Sequence, residues 1–143
     1  MAIYQTACTI FKDNMLKGLE NFGTGTPYTY KIALYTANAN LNADTLAYTS
    51  DGEVVGTGYT AGGNVLVISQ TPTYQTGTTT AYISFSNAVW NPAGFTARGA
   101  LIYNSTTGAA IAVLDFGADK TASSTFTITF PTATSTTSIL RIS

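Results

Sequence analysis

From Tyr28 onward, apolar residues recur at every second position with threonine between them, and this period of two most limits what the chain can fold into. In Phe126-Thr-Ile-Thr-Phe130 the alternation is complete. It places every bulky side chain on one face of an extended strand, and a helix of 3.6 residues per turn would scatter the same side chains around its axis. Threonine occupies roughly a fifth of the positions. Its neighbours are Val, Ile, Phe and Tyr, which together favour a pleated, half-buried backbone.

The same reading predicts strands over 31–35, 65–69, 80–86, 97–103, 109–116, 126–130 and 139–142. Val65-Leu-Val-Ile-Ser69 is nearly continuous in apolar residues and is expected to be a central strand. Gly77, Asn91-Pro92, Thr107-Gly108 and Pro131 separate the runs as turn signals, and the Asx-rich stretch after Tyr35 reads as a polar loop. Before Tyr28 the period is different. Phe11, Met15, Leu16, Leu19 and Phe22 recur at three and four, which predicts one short helix from Thr9 to Phe22, with Thr9 as its cap and Gly23 as its end. Gly18 falls inside it and weakens it by up to ~1 kcal/mol relative to Ala. The expected fold is therefore mainly β. It is a β-sandwich, or a partly closed barrel, of seven or eight strands over 28–143, with an N-terminal arm and helix over 1–23. The 143 residues carry no linker and read as a single domain.

Apolar residues make up 45% of the chain and charged residues 9%, against about 25% in typical domains. The surface must then be mostly Thr, Ser, Asn, Tyr and backbone. Six basic and seven acidic side chains give a net charge of −1, which provides no basic field for a phosphate backbone, so nucleic acid is not an expected partner. A weakly charged protein also packs beside its own copies with little repulsion. The start lacks a basic, apolar leader, and no run approaches the ~18 residues that cross a bilayer. A soluble, unexported protein without a membrane partner is expected.

Histidine is absent. It is the usual proton carrier near neutral pH, and the many Ser and Thr hydroxyls have no such base beside them. Carboxylate pairs for glycoside hydrolysis need only two acids, but the acids here sit in turn-like surroundings. Asp44, Asp51 and Glu53 read as solvated turn carboxylates, and Asp115, Asp119 and Lys120 as a second small charge cluster. Neither has the Asp-x-Asp-x-Asp-Gly spacing of a calcium loop. The single Cys8 excludes an internal disulfide and a multi-cysteine metal site, and it reads as a buried packing residue. No catalytic, cofactor-binding or metal-binding residue is expected.

Gly56, Gly58, Gly62 and Gly63, with Tyr59 among them, form the densest glycine segment. A phosphate loop would need a lysine and a following helix, and here a strand follows, so the glycines are read as serving close backbone approach or contact with a neighbouring subunit. Tyr59 then becomes a contact residue. Asp115-Phe-Gly117 matches the kinase metal tripeptide by chance, since none of its companion segments is present. Arg98, in an apolar strand, needs a carboxylate, either Asp115 within the chain or one across a subunit boundary. Trp90 reads as a core ring at a strand end or as an interface or sugar-stacking aromatic. Asn104-Ser-Thr106 matches a glycosylation sequon but reads as a turn.

Several phrases together resemble a family of small virion proteins of tailed bacteriophages. These are Lys31-Ile-Ala-Leu-Tyr-Thr36, Ala47-Tyr-Thr-Ser-Asp-Gly-Glu-Val-Val-Gly-Thr-Gly-Tyr-Thr-Ala-Gly-Gly63, Ala97-Arg-Gly-Ala-Leu-Ile-Tyr-Asn104, Ala112-Val-Leu-Asp-Phe-Gly-Ala-Asp-Lys120 and Ile139-Leu-Arg-Ile142. The likeness covers most of the chain, including the start around Phe11 and Lys12. It implies a non-enzymatic particle protein, favoured here as one that cements or decorates the capsid. Its partners would be the major capsid protein and copies of itself, with a trimer as one form, on the capsid surface after assembly in the host cytoplasm. Gly56, Gly58, Tyr59, Gly62, Gly63, Trp90 and Arg98 are the expected contact residues. A tail, neck or head-fibre component, including a receptor- or glycan-binding module, is the alternative.

Overall fold

The computed structural model describes residues 2–143. Over these residues the fold is mainly β, with ten strands in three open antiparallel sheets and one short N-terminal helix; none of these sheets closes into a barrel. In chain order the elements are β1 (Thr6–Ala7), α1 (Thr9–Leu16), β2 (Tyr30–Tyr35), β3 (Asn64–Val65), β4 (Ile68–Gln75), β5 (Thr80–Phe85), β6 (Ala88–Trp90), β7 (Phe95–Asn104), β8 (Ala110–Ala122), β9 (Phe126–Ile128) and β10 (Leu140–Ile142).

The largest sheet has the order β1-β8-β7-β2-β3, and smaller sheets run β10-β5-β4 and β6-β9. Side chains from all three contribute to one hydrophobic core. β7 is the middle strand of the largest sheet, and β2 beside it is buried on both of its faces through Tyr30, Ile32, Ala33, Leu34 and Tyr35. It pairs in continuous register with β7, from Tyr30 opposite Asn104 to Tyr35 opposite Gly99. A strand covered on both faces has no polar side to show, which is why 32–34 reads Ile-Ala-Leu without alternation.

The run over 65–69 is not a central strand. It divides between β3 and β4, each at the edge of its own sheet. The Leu66 N–H donates to the Tyr30 carbonyl in the large sheet, and one residue later the Val67 carbonyl accepts from Ser86, at the end of β5. The chain therefore changes sheets here. Leu66 is buried at the crossing, while Val65 and Val67 face outward.

The helix is shorter than its apolar spacing predicts. It ends at Leu16, and residues 17–19 form a Schellman turn, with Leu19 N–H on the Asn14 carbonyl and Gly18 N–H on the Met15 carbonyl. Gly18 has φ +72°, the left-handed conformation that such a stop needs and that glycine adopts at least cost. Phe22 is buried, but in the loop beyond the helix, and Leu16 is 91% exposed. Cys8, not Thr9, occupies the N-cap position. Its backbone ties the helix start down, with its N–H on the Ile111 carbonyl and its own carbonyl accepting from Phe11 and Lys12. The Cys8 side chain is fully buried, and burial pushes its thiol up to about 11.

Candidate functional site

The glycine segment lies against the edge of β2 and is fitted to its own chain. A Cβ on Gly58 would sit 1.8 Å from the Pro92 carbonyl oxygen, and one on Gly63 would sit 1.8 Å from that of Ile32. Gly56 comes similarly close to the Gly94 carbonyl, at 2.7 Å. Gly62 has more room, and its carbonyl accepts from the Tyr103 hydroxyl at 2.7 Å. The close approach expected of these glycines is thus made within the molecule.

What organises the segment is Glu53, and here the sequence reading is corrected. Asp44 and Asp51 are exposed in turns, but Glu53 is buried. Its Oε1 accepts from the Tyr48 hydroxyl at 2.6 Å, and its Oε2 accepts from the Tyr59 hydroxyl at 2.6 Å and the Gly62 N–H at 2.8 Å. The Tyr59 oxygen also accepts from the Leu34 N–H at 2.8 Å, so its own proton is committed to Glu53. Beside this node, Tyr48 stacks on Tyr103 with centroids 4.9 Å apart. Burial and the Glu53 carboxylate both push the Tyr48 and Tyr59 hydroxyls above the ordinary phenol value. No local motif announces Glu53; its one signal is a ring-rich neighbourhood, Tyr48 and Tyr59 flanking an acid.

Tyr59 packs its ring between Trp90 and Phe95, with centroids 6.3 and 5.7 Å away. Trp90 is 3% exposed, meets Phe126 edge-on, and has no hydrogen-bond partner for its indole N–H among the described residues. Tyr59 and Trp90 are therefore brought together, but inside the fold.

Arg98 lies elsewhere, opposite an irregularity in β8. Between Ala97 and Gly99 the pairing on β8 jumps from Lys120 to Asp115, so 116–119 bulge from the ladder, with Phe116 turned in against Phe126 and 117–119 exposed. Arg98 forms an ion pair with Asp115 across this gap, and the Gly117 N–H closes onto the same carboxylate oxygen. The Gly117 N–H first, and then Arg98, hold the Asp115 carboxyl below its usual value. The pair is made within the chain. At 104–107 the Asn104 side chain closes a turn by accepting from the Thr106 and Thr107 N–H groups, as the sequon reading expects of a turn.

The surface presents other apolar groups. Val55 is 94% exposed and Val67 62%, and Val65 and Val89 are also exposed. Asn64 donates to the Val89 carbonyl at 2.9 Å, which brings β6 beside β3. The long edge strand β4 carries Pro72 and two register shifts, features that discourage indiscriminate edge pairing. Under α1 an apolar groove of about 140 Å³ is lined by Phe11, Met15, Phe22, Ile83, Leu140 and Ile142. None of the described helices is long and apolar enough to cross a membrane.

Comparison with protein-family models, with curated proteins and with solved structures returned no match.

Proposed function

We propose that this chain is a non-enzymatic structural protein of a tailed-bacteriophage particle that cements or decorates the capsid by bridging its subunits. The observation that carries the proposal is the set of outward valines, Val65 and Val67 at the β3 edge, Val89 on the neighbouring β6 and Val55 on the loop after Glu53, in a protein with only 9% charged residues. An exposed apolar surface of this kind marks a contact site more often than bare solvent. The phrase-level resemblance to small virion proteins supports the same reading.

The mechanism is added buried area. A contact of standard size buries about 1,600 Å² in total, and repeated over a lattice even a smaller one opposes expansion of the shell. The contact side chains in this reading are the valines, while the glycines, Tyr59 and Trp90 shape the scaffold beneath. A glycan-binding module draws less support. It needs free aromatic faces, and Trp90 and Tyr59 pack against each other and their neighbours.

The test is attachment of purified, tagged protein to empty capsids and, separately, to host cells, read by electron microscopy and gel. Regular, saturable binding to the capsid lattice is the expected result. Binding only to cells, or only to tails and necks, would replace the proposal with the receptor or connector reading.

A further inference from the structure

Glu20 follows the Schellman turn and is packed against the large sheet with only 8% of its surface exposed. Its two carboxyl oxygens have unequal surroundings. Oε1 accepts from Asn104 Nδ2 at 2.8 Å and from the Tyr30 hydroxyl at 3.2 Å. Oε2 is buried and has no hydrogen-bond partner among the described residues.

The donors have no freedom to move across. Asn104 Oδ1 is held by the Thr106 and Thr107 N–H groups, so its NH₂ is the end that faces Glu20. The Tyr30 oxygen accepts from the Asn21 N–H at 3.0 Å, and its single proton is shared between Glu20 Oε1 and the Asn21 carbonyl. An ionised carboxylate carries charge on both oxygens, and leaving one of them buried without a donor costs its full desolvation. A proton on Oε2 removes that charge.

Tyr30 on β2, with Tyr28 behind it, is the titratable group facing Glu20, and Asn104 at the end of β7 is neutral. Neither ion pair among the described residues involves Glu20. Burial is the dominant influence and pushes its carboxyl above the ordinary 4.5, against the smaller opposing effects of Asn104 and Tyr30.

We propose that Glu20 is a protonated latch, in which the neutral carboxyl holds residues 19–23 on β2 and β7, and loss of the Oε2 proton to water loosens that segment. The segment carries Phe22, which stacks on Tyr30 at 4.5 Å, meets Phe11 and Phe85 at 6.0 and 6.3 Å, and lines the groove beneath α1. Loosening it uncovers apolar surface in a pH-dependent way.

The folded-state value lies above the unfolded one, so the contribution of Glu20 to stability is complete below about 4.5 and is lost as pH rises through the folded value. The chain has no histidine to obscure this window. The other resolved shifts are a lowered Asp115 and raised Cys8 and tyrosine groups, all away from it. Glu20→Gln keeps an Oε1 acceptor and has no proton to lose.

The experiment compares wild type with E20Q at about pH 5 and pH 8 by urea midpoint and by hydrogen-exchange protection of the 19–23 amides. In wild type both should fall as pH rises, with about tenfold in protection lost per unit of pKa elevation once the group is ionised. In E20Q both should be flat. A wild type with equal midpoint and protection at the two pH values, or an E20Q that tracks wild type, overturns the proposal. Should E20Q fail to fold, carbon-13 titration of the Glu20 carboxyl in wild type decides. Titration above the ordinary carboxylate range together with loss of 19–23 protection supports the latch, and an ordinary titration refutes it.

Discussion

Gly58 and Gly77 both have positive φ, at +81° and +87°, and differ in what surrounds them. A methyl group on Gly77 points into open space, whereas on Gly58 it meets the Pro92 carbonyl. Gly77→Ala therefore bears only the left-handed backbone penalty, about 1 kcal/mol. Gly58→Ala adds a backbone collision and should cost about 3 kcal/mol or more. Urea unfolding of the two variants checks the difference, and equal losses would mean that the Pro92 contact relaxes freely. Glu53 allows a second contrast. Glu53→Ala leaves the Tyr59 hydroxyl and the Gly62 N–H without their acceptor in a buried place, a loss of about 3 kcal/mol. In Glu53→Gln the amide oxygen serves those two donors while its NH₂ faces Tyr48, whose hydroxyl turns to accept, so about 1 kcal/mol is expected. Equal damage from both variants would show that the charge matters as well as the acceptor geometry.

Among the elements, α1 gives the sharpest prediction because its stop is a single residue. Gly18→Ala should cost about 1 kcal/mol through the Schellman turn, with the helical signal retained, while Leu16→Lys should leave the unfolding midpoint within about 0.5 kcal/mol of wild type. A large effect at Leu16 would mean that this end of the helix is covered in solution. The helix also shows what the sequence made legible. Spacing of three and four marked a helix, expected over 9–22 and formed over 9–16, because spacing alone does not show where a helix stops, and Phe22 satisfied the pattern from a loop by stacking on Tyr30. The run at 126–130 was legible because it has one dry and one wet face, with Phe126, Ile128 and Phe130 buried and Thr127 and Thr129 exposed, whereas at 80–86 the alternation marked the strand although Thr80 and Ser84 are buried as well. The run at 65–69 misled because Leu66 is the buried point at which the chain passes between two sheets, and an unbroken apolar string looks the same whether it is a central strand or a crossing. β1 and β6, of two and three residues, are too short for any period to register. Glu53 and Glu20 escaped for a related reason. For Glu20 the partner Asn104 lies 84 positions away, and no local pattern encodes such a meeting; the partners of Glu53 are near in sequence, but it is the packing of the glycine segment against β2 that turns an acid between two turns inward.

For the whole molecule, stability and attachment should separate. The core is built from β2, β7 and β8 and the rings around Trp90, whereas Val55, Val65, Val67 and Val89 contribute little to it because they face outward. Replacing Val55, Val65 and Val67 with Lys places charge on the exposed loop after Glu53 and at the β3 edge, which opposes both apolar docking and edge pairing. Each change is at an exposed position, so the summed effect on unfolding should stay within about 1.5 kcal/mol. Capsid occupancy should nevertheless fall at least tenfold, which corresponds to about 1.4 kcal/mol per contact site and accumulates where one molecule touches several subunits. Thermal melts of the triple variant, run beside quantitative capsid binding, measure the two quantities separately. If binding persists at wild-type occupancy with the fold intact, the valines are not the contact surface, and the exposed bulge of β8 at 117–119 becomes the next surface to substitute.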